Sequence, residues 1–136
     1  MSLLRRHARV LLAVYAVLLL VALFSPTSDR QSAAVEWLGT ILSHAGFPPG
    51  ITSFTRLEVV MNAVIIAPVT FLASLVRPRY GWRDWTALGF VAALTVETLQ
   101  GLLLPGRHAA LSDIVANTLG ALLGAVLARA VVRRGR

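Results

Sequence analysis

Four long apolar stretches constrain the fold of this chain more than any other feature of its sequence. The first of them contains LLAVYAVLLLVALF, and no charged residue occurs between Arg9 and Asp29. About 20 consecutive apolar residues are enough for an α-helix to cross the hydrocarbon core of a bilayer. Only helices and closed barrels satisfy their backbone polar groups inside lipid. We therefore predict an all-α chain with four membrane-spanning segments, at residues 9–25, 57–76, 85–104 and 111–130.

The composition agrees with a membrane protein. Hydrophobic residues make up 57% of the 136 residues and charged residues 14%, whereas soluble domains have roughly 45–50% and about 25%. No repeat or low-complexity tract divides the chain, so the segments are predicted to form one small polytopic bundle, a single domain over residues 1–136. Cysteine is absent, which excludes disulfides, thiolate metal sites and a cysteine nucleophile.

The distribution of arginine predicts the orientation of the bundle. All thirteen basic residues are arginine, and ten of them lie at the start of the first segment, between the second and third, or at the end of the fourth. Cytoplasmic loops are enriched in Arg and Lys, so both termini are predicted to be cytoplasmic. Because most of these arginines lie at the ends of the apolar segments, their positions argue against a nucleic-acid partner. The first segment is predicted to be retained as an anchor, because SPTSD after it lacks a small-x-small cleavage site.

The connection at residues 26–56 is the longest, and it is predicted to lie outside. Within it, the stretch SAAVEWLGTILSHAG is followed by the turn-forming sequence FPPG. The stretch has apolar residues at helical spacing but is too short to span a membrane. These residues are Val35, Leu38, Ile41 and Leu42. We predict a short interfacial helix in this first outer loop.

Polar residues inside the last three spans are the candidates for function, because each costs free energy in a membrane. They occur in pairs three or four residues apart, which puts both members on one helix face. The pairs are Glu58 with Asn62, Glu97 with Gln100, and Asp113 with Asn117. The predicted orientation brings all three pairs to a similar depth in the outer half of the membrane. A structural alternative is that they only fix the helices to one another by hydrogen bonds.

A carboxylate inside the membrane at Glu97 needs a compensating partner. Arg56 and Arg107 both belong to outer connections, and they are candidates for that role. We predict that Glu97, Arg107 and Asp113 form one charge-coupled unit. Together with His108 they are expected to make a pocket of mixed charge.

Gly120 and Gly124 are four residues apart in the last span. This GxxxG spacing lets two helices approach closely. We predict that the two glycines pack helices within the bundle, with a homodimer as the less favoured alternative.

The second half of the chain resembles a known family. The run VETLQGLLLPGRHAALSDIVANTLGALLG is similar to the C-terminal signature of VanZ-like membrane proteins, in which an acidic residue and Gln precede a Gly-Arg turn, an Asp and an Asn-Thr-x-Gly helix. Upstream, LEVVMNAVIIAPVTFL resembles the second helix of that family, although Val69 replaces the usual Gly after Pro. The resemblance covers residues 57–128.

The resemblance implies a set of site residues and a cellular setting. The residues it points to are Glu97, Gln100, Arg107, Asp113, Asn117 and Gly120, with Asn62 and Glu58 less securely aligned. It implies a multi-pass protein of the bacterial cytoplasmic membrane. It also implies a connection with the cell envelope and with resistance to the glycopeptide antibiotic teicoplanin.

Three functional hypotheses follow. In the first, the polar pocket binds an amphiphile, either a membrane lipid or lipid-linked cell-wall precursor or an acylated glycopeptide, and Arg107 holds its phosphate or carboxylate. In the second, the chain is a membrane-embedded enzyme acting on a lipid head group. Its chemical groups would be Glu58, Glu97, Asp113 and His108, which could bind a divalent metal or act as general acid and base. The third is a transporter or proton pathway through Glu97, which the confinement of polar residues to one half of the membrane argues against.

The enzyme hypothesis has no assigned catalytic residue. The sequence contains no recognised metal-binding motif, and no nucleophile is evidently oriented by a base. No metal or cofactor is therefore expected.

Overall fold

The computed structural model describes residues 2–25, 29–104 and 110–134, and these residues are almost entirely helical. The helices are α1 (Ser2–Leu23), α2 (Asp29–His44), α3 (Pro49–Thr52), α4 (Phe54–Val76), α5 (Trp82–Leu103) and α6 (Leu111–Arg134). Within the described ranges, α1, α4, α5 and α6 are long and apolar enough to cross a membrane. The predicted all-α architecture with four spans is confirmed.

The last helix, α6, is the centre of the bundle. It packs against both α4 and α5, which contact each other only slightly, and α1 packs on α4. The buried residues of α6 are mostly small: Ala116, Asn117, Gly120, Ala121, Gly124, Ala125 and Ala128. Small side chains let helix backbones approach closely inside a membrane, and this explains why α6 can lie between two neighbours.

The glycines of α6 lie directly against the backbone of α4. A Cβ atom at Gly120 would collide with the carbonyl oxygen of Ala63 and lie 2.9 Å from its Cα atom. A Cβ atom at Gly124 would collide with the carbonyl oxygen of Ala67 and with the hydroxyl of Thr70. Because both contacts advance in the same direction along the two helices, α4 and α6 run parallel.

Two local features fix the neighbouring helices. Asp84 accepts a hydrogen bond from the Gly81 backbone N–H at 2.7 Å, at the start of α5. In α4, Pro68 leaves the Val64 carbonyl without its usual helical donor. The Tyr15 hydroxyl of α1 donates to the adjacent Ile65 carbonyl at 2.9 Å. This bond joins α1 to α4 where the proline weakens the helix.

The predicted short helix between the first two spans is present as α2, which packs on α4. Its buried side differs in one position from the sequence-based expectation. Val35 is buried and Leu38 half-buried, but Ile41 is exposed. Gly39 faces inward instead, close to the Thr52 carbonyl oxygen and the Leu57 side chain. The additional helix α3 was not predicted; it has proline at its first position, which favours helix initiation.

The outer surface of the bundle is apolar. On α1, Val10, Val17, Leu18 and Val21 are all more than half exposed. A surface of this kind is not stable in water, and it is typical of helices that face lipid.

Candidate functional site

The polar residues of α4, α5 and α6 lie at one end of the bundle. This end contains the N-terminal halves of α4 and α6 and the C-terminal ends of α1 and α5. We call the polar residues there the polar layer. Its members are Glu58, Asn62, Glu97, Gln100, Asp113 and Asn117. The parallel arrangement of α4 and α6 is what brings residues 51 positions apart in sequence to the same depth.

Asn62 and Asp113 join α4 to α6. The Asn62 side-chain amide donates a hydrogen bond to Asp113 Oδ1 at 2.9 Å. Glu58 lies one helical turn before Asn62 on α4. An amide of α4 and a carboxylate of α6 therefore meet where these helices face each other, and a second carboxylate lies one turn away on α4.

Glu97 lies at the junction of α5 and α6. Its side chain is only 5% exposed, and its Oε2 atom accepts a hydrogen bond from the backbone N–H of Ala110 at 3.1 Å. Ala110 immediately precedes the first residue of α6, where unpaired N–H groups and the helix dipole favour negative charge. The carboxylate therefore stabilises the start of α6. Sequence reasoning considered cationic partners for Glu97 and missed this backbone donor.

Gln100 connects α5 to the end of α1. Its Nε2 atom donates to the Leu23 carbonyl oxygen at 2.6 Å, and the Gln100 side chain is 5% exposed. Leu23 is the last residue of α1, and carbonyl groups at a helix end have no partner within the helix. Gln100 thus donates to a half-buried carbonyl group of another helix.

Two cavities adjoin the polar layer. The first, of about 260 Å³, contains Glu58, Asn62 and Asn117 together with apolar side chains from α1, α2 and α4; we call it the polar cavity. The second, of about 330 Å³, lies between α1, α4 and α5 and is lined almost entirely by apolar residues; we call it the apolar cavity. Both are lined by Leu19, Leu23, Ile66 and Asn117.

The shared wall was not predicted. Leu19 and Leu23 belong to α1, and nothing distinguishes them in sequence from other apolar residues that face lipid. Asn117 was singled out as polar, but its position between two cavities depends on how α1 packs on α4. Packing between helices of this kind cannot be inferred from the residue type at a single position of the sequence.

Of the three cationic residues expected at the site, the structure describes only Arg56. Arg107 and His108 lie outside the described residues. Arg56 is exposed, and its guanidinium donates to the Gly50 carbonyl oxygen beside α3. It forms no ion pair with a carboxylate in the described part of the chain. Among those residues, no three His, Asp or Glu side chains are close enough to hold a metal ion.

We expect the bond between Asn62 and Asp113 to couple the two positions energetically. Asn62→Ala and Asp113→Ala should each lower the free energy of unfolding by about 1.5–3 kcal/mol, the usual contribution of a hydrogen bond to a charged group. The double variant should be little worse than either single variant, a coupling of at least ~1 kcal/mol. Thermal or denaturant unfolding in detergent measures these values.

A control cycle combines Asn62→Ala with Thr98→Ala. The Thr98 hydroxyl bonds within its own helix, to the Leu94 carbonyl oxygen, so these two changes should be additive. Equal additivity in both cycles would mean that Asn62 and Asp113 do not interact.

One comparison with known proteins identifies the family. The model of the family VanZ/LLP1 matches residues 10–133, nearly the whole chain. Neither a curated protein nor a solved structure matches. The match extends the resemblance seen at residues 57–128 to include most of α1. This chain is therefore a multi-pass membrane protein that belongs to the VanZ-like family.

Proposed function

We propose that this protein binds an amphiphile, with the polar head group in the polar cavity and an acyl chain in the apolar cavity. The observation that supports the proposal most directly is the wall that the two cavities share. A ligand with a polar end and an apolar end fits two adjoining spaces of unlike chemistry. By family resemblance, candidate ligands are a lipid-linked envelope precursor and an acylated glycopeptide such as teicoplanin.

The polar cavity offers both donors and acceptors to a head group. The Glu58 carboxylate accepts hydrogen bonds, and the amides of Asn62 and Asn117 carry a donor and an acceptor each. Sugar hydroxyls and peptide groups need this combination. The carboxylates favour neutral or cationic parts of the ligand, and Arg107 is proposed to hold its phosphate or carboxylate.

The apolar cavity suits a hydrocarbon chain. Among the described residues that line it, only Thr70, Trp85 and Asn117 have polar side-chain atoms. Leu20, Leu88 and Val96 are among the apolar ones. Filling such a cavity with methylene groups is favourable, by about 0.8 kcal/mol for each group removed from water. For a ligand taken from the membrane the gain is smaller, since lipid is already apolar, and the acyl chain then serves mainly to position the head group.

We propose that the polar layer lies in the outer half of the bacterial cytoplasmic membrane and that both termini are cytoplasmic. The arginines at the opposite end of the bundle support this orientation. A ligand from the outer leaflet would then reach the site without crossing the membrane.

Cysteine labelling tests the orientation. The chain has no cysteine, so a single cysteine reports one position only. Ser43→Cys, on the exposed side of α2, should react in intact cells with a thiol reagent that cannot cross the membrane. Gly81→Cys, in the turn before α5, should react only after the membrane is made permeable. The reverse pattern would place the polar layer in the cytoplasmic half.

A second candidate function is an enzyme acting on a lipid head group. It is favoured by two carboxylates at or beside the polar cavity: Glu58 lines it, and Asp113 accepts a hydrogen bond from Asn62, which lines it too. Two carboxylates in different environments can act as acid and base. Binding requires only that these groups form hydrogen bonds with the ligand. Catalysis requires in addition that a ligand bond is made or broken.

Mass spectrometry separates the two candidates. Protein in nanodiscs is incubated with envelope lipids or an acylated glycopeptide, with and without Mg²⁺ or Zn²⁺, and both bound and free ligands are analysed. We expect a bound amphiphile of unchanged mass. A new lipid species that wild type forms, and that Glu97→Gln or Asp113→Asn abolishes, would replace the binding function by the enzymatic one.

A further inference from the structure

A separate pocket lies at the opposite end of the bundle from the polar layer. It has a volume of about 260 Å³ and is formed by the end of α4, the turn between α4 and α5, and the C-terminal part of α6. Two of its residues, Arg129 and Arg133, are positively charged and exposed. We call this space, bounded by Ser74, Tyr80, Trp82, Arg129 and Arg133, the arginine pocket.

The two arginines of the pocket have no counter-charge in the described residues. They are four positions apart on α6, so their side chains are neighbours and repel each other. The acidic residue of the adjoining turn is Asp84, and its carboxylate accepts the Gly81 backbone N–H at the start of α5. An anion between Arg129 and Arg133 would remove the repulsion and would form charge-assisted hydrogen bonds with both.

Two further arginines, Arg79 in the turn and Arg83 at the start of α5, lie over aromatic rings. The Arg79 guanidinium lies 4.9 Å from the centre of the Tyr80 ring, and that of Arg83 lies 5.2 Å from the Trp82 ring. Cation–π contacts of this kind keep their positive charge near the pocket. They add to the local field that attracts an anion.

The remaining walls indicate that the anion is carried by a lipid. Ala125, Ala128 and Val132 of α6 give the pocket an apolar side. Tyr80 and Trp82 are residues of the type that lies at the boundary between hydrocarbon and water. Basic pockets between membrane helices bind the head groups of acidic lipids. We propose that the arginine pocket binds the phosphate group of an anionic phospholipid through Arg129 and Arg133.

The inference does not depend on the proposed function, since the two sites share no residue and lie at opposite ends of the bundle. The polar cavity contains two amides and a carboxylate, whereas the arginine pocket contains two guanidinium groups. A ligand of the first therefore need not bind to the second.

Native mass spectrometry of the full chain tests the proposal. The protein is reconstituted in nanodiscs that contain equal amounts of phosphatidylglycerol and phosphatidylcholine, released, and analysed for retained lipid. We expect wild type to retain phosphatidylglycerol in preference to phosphatidylcholine. The double variant Arg129→Gln/Arg133→Gln should reduce that retention about tenfold, as expected for loss of hydrogen bonds to a charged group.

The matched control is Arg5→Gln/Arg6→Gln, which removes the same charge from α1 without touching the pocket. It should retain phosphatidylglycerol as wild type does. Equal losses in both double variants would mean that overall charge attracts the lipid, and would overturn the proposal. Arg129→Lys/Arg133→Lys keeps the charge but loses the planar donors; it should fall between wild type and the Gln variant, and full retention would contradict binding through the guanidinium groups.

Inorganic phosphate distinguishes the lipid from a soluble ligand. If the pocket binds a lipid, millimolar phosphate in the buffer should leave phosphatidylglycerol retention unchanged. Displacement of the lipid by phosphate at such concentrations would assign the pocket to a soluble anion instead.

Discussion

Replacement of Gly124 by leucine is expected to prevent α6 from packing against α4. The Cβ atom of any new side chain would overlap the Ala67 carbonyl oxygen and the Thr70 hydroxyl, and backbone atoms cannot move aside as the end of a flexible side chain can. Overpacking of a tight interface usually costs about 1–3 kcal/mol. Leucine at position 124 would meet backbone atoms, so the loss of free energy of unfolding should exceed this range. The measurement is unfolding in detergent, with the yield of monodisperse protein as a second readout.

A pair of Gly→Ala changes controls for helix propensity. Gly101 is an exposed residue of α5, and Gly101→Ala should stabilise the protein by about 0.5–1 kcal/mol. Gly124→Ala makes the same chemical change at the contact with α4 and should destabilise the protein. If both substitutions changed the free energy of unfolding in the same direction, α6 would not approach α4 closely at Gly124.

Loss of the Asn117 amide is expected to weaken ligand binding strongly while leaving the bundle folded. Asn117 is 9% exposed and lines both cavities. Asn117→Leu has similar volume but offers no hydrogen bond, and it extends apolar surface into the polar cavity. A ligand group left without its partner costs about 1–3 kcal/mol, so affinity should fall about 5- to 150-fold.

Binding of the acylated ligand to protein in nanodiscs, by native mass spectrometry, measures this loss. The control is Thr118→Val, at the next position of α6. The Thr118 hydroxyl bonds to the Ile114 carbonyl of its own helix, and Thr118 lines neither cavity. The Thr118→Val variant should bind the acylated ligand as wild type does. Unchanged affinity in Asn117→Leu would exclude the shared wall from the binding site.

The spans could be predicted because their cause is local. A helix that crosses lipid must be apolar along its whole length, and this requirement is visible in composition alone. The ends were less well predicted: α4 begins at Phe54 and α5 at Trp82, three residues before the expected positions. Capping groups set such ends, as Asp84 does for α5.

It is harder to predict which side of a short helix is buried than to predict that the helix forms. Ile41 was expected on the buried side of α2, yet Gly39 lies there. Apolar spacing favours the larger residue, but close contact with Thr52 and Leu57 requires the smaller one. Such a contact depends on a neighbouring segment and has no counterpart in the periodicity of α2 itself.

For the candidate site, sequence identified the polar side chains but not their partners. The spacing of Asp113 and Asn117 predicts one face of α6, and that face does meet α4 at Asn62. The partners of Glu97 and Gln100 include backbone groups, the Ala110 N–H and the Leu23 carbonyl. Backbone donors and acceptors exist at every position, so only the fold determines which of them a side chain reaches.

The central position of α6 has a consequence for how the protein is made. During synthesis α4 and α5 leave the ribosome before α6, although they hardly contact each other in the finished bundle. Until α6 inserts between them, Asn62 lacks Asp113 and Glu97 lacks the Ala110 N–H. The polar groups of α4 and α5 therefore form these bonds only when α6 arrives. A chain interrupted before α6 would lack the contacts that join α4 to α5, so assembly of the bundle is completed by α6.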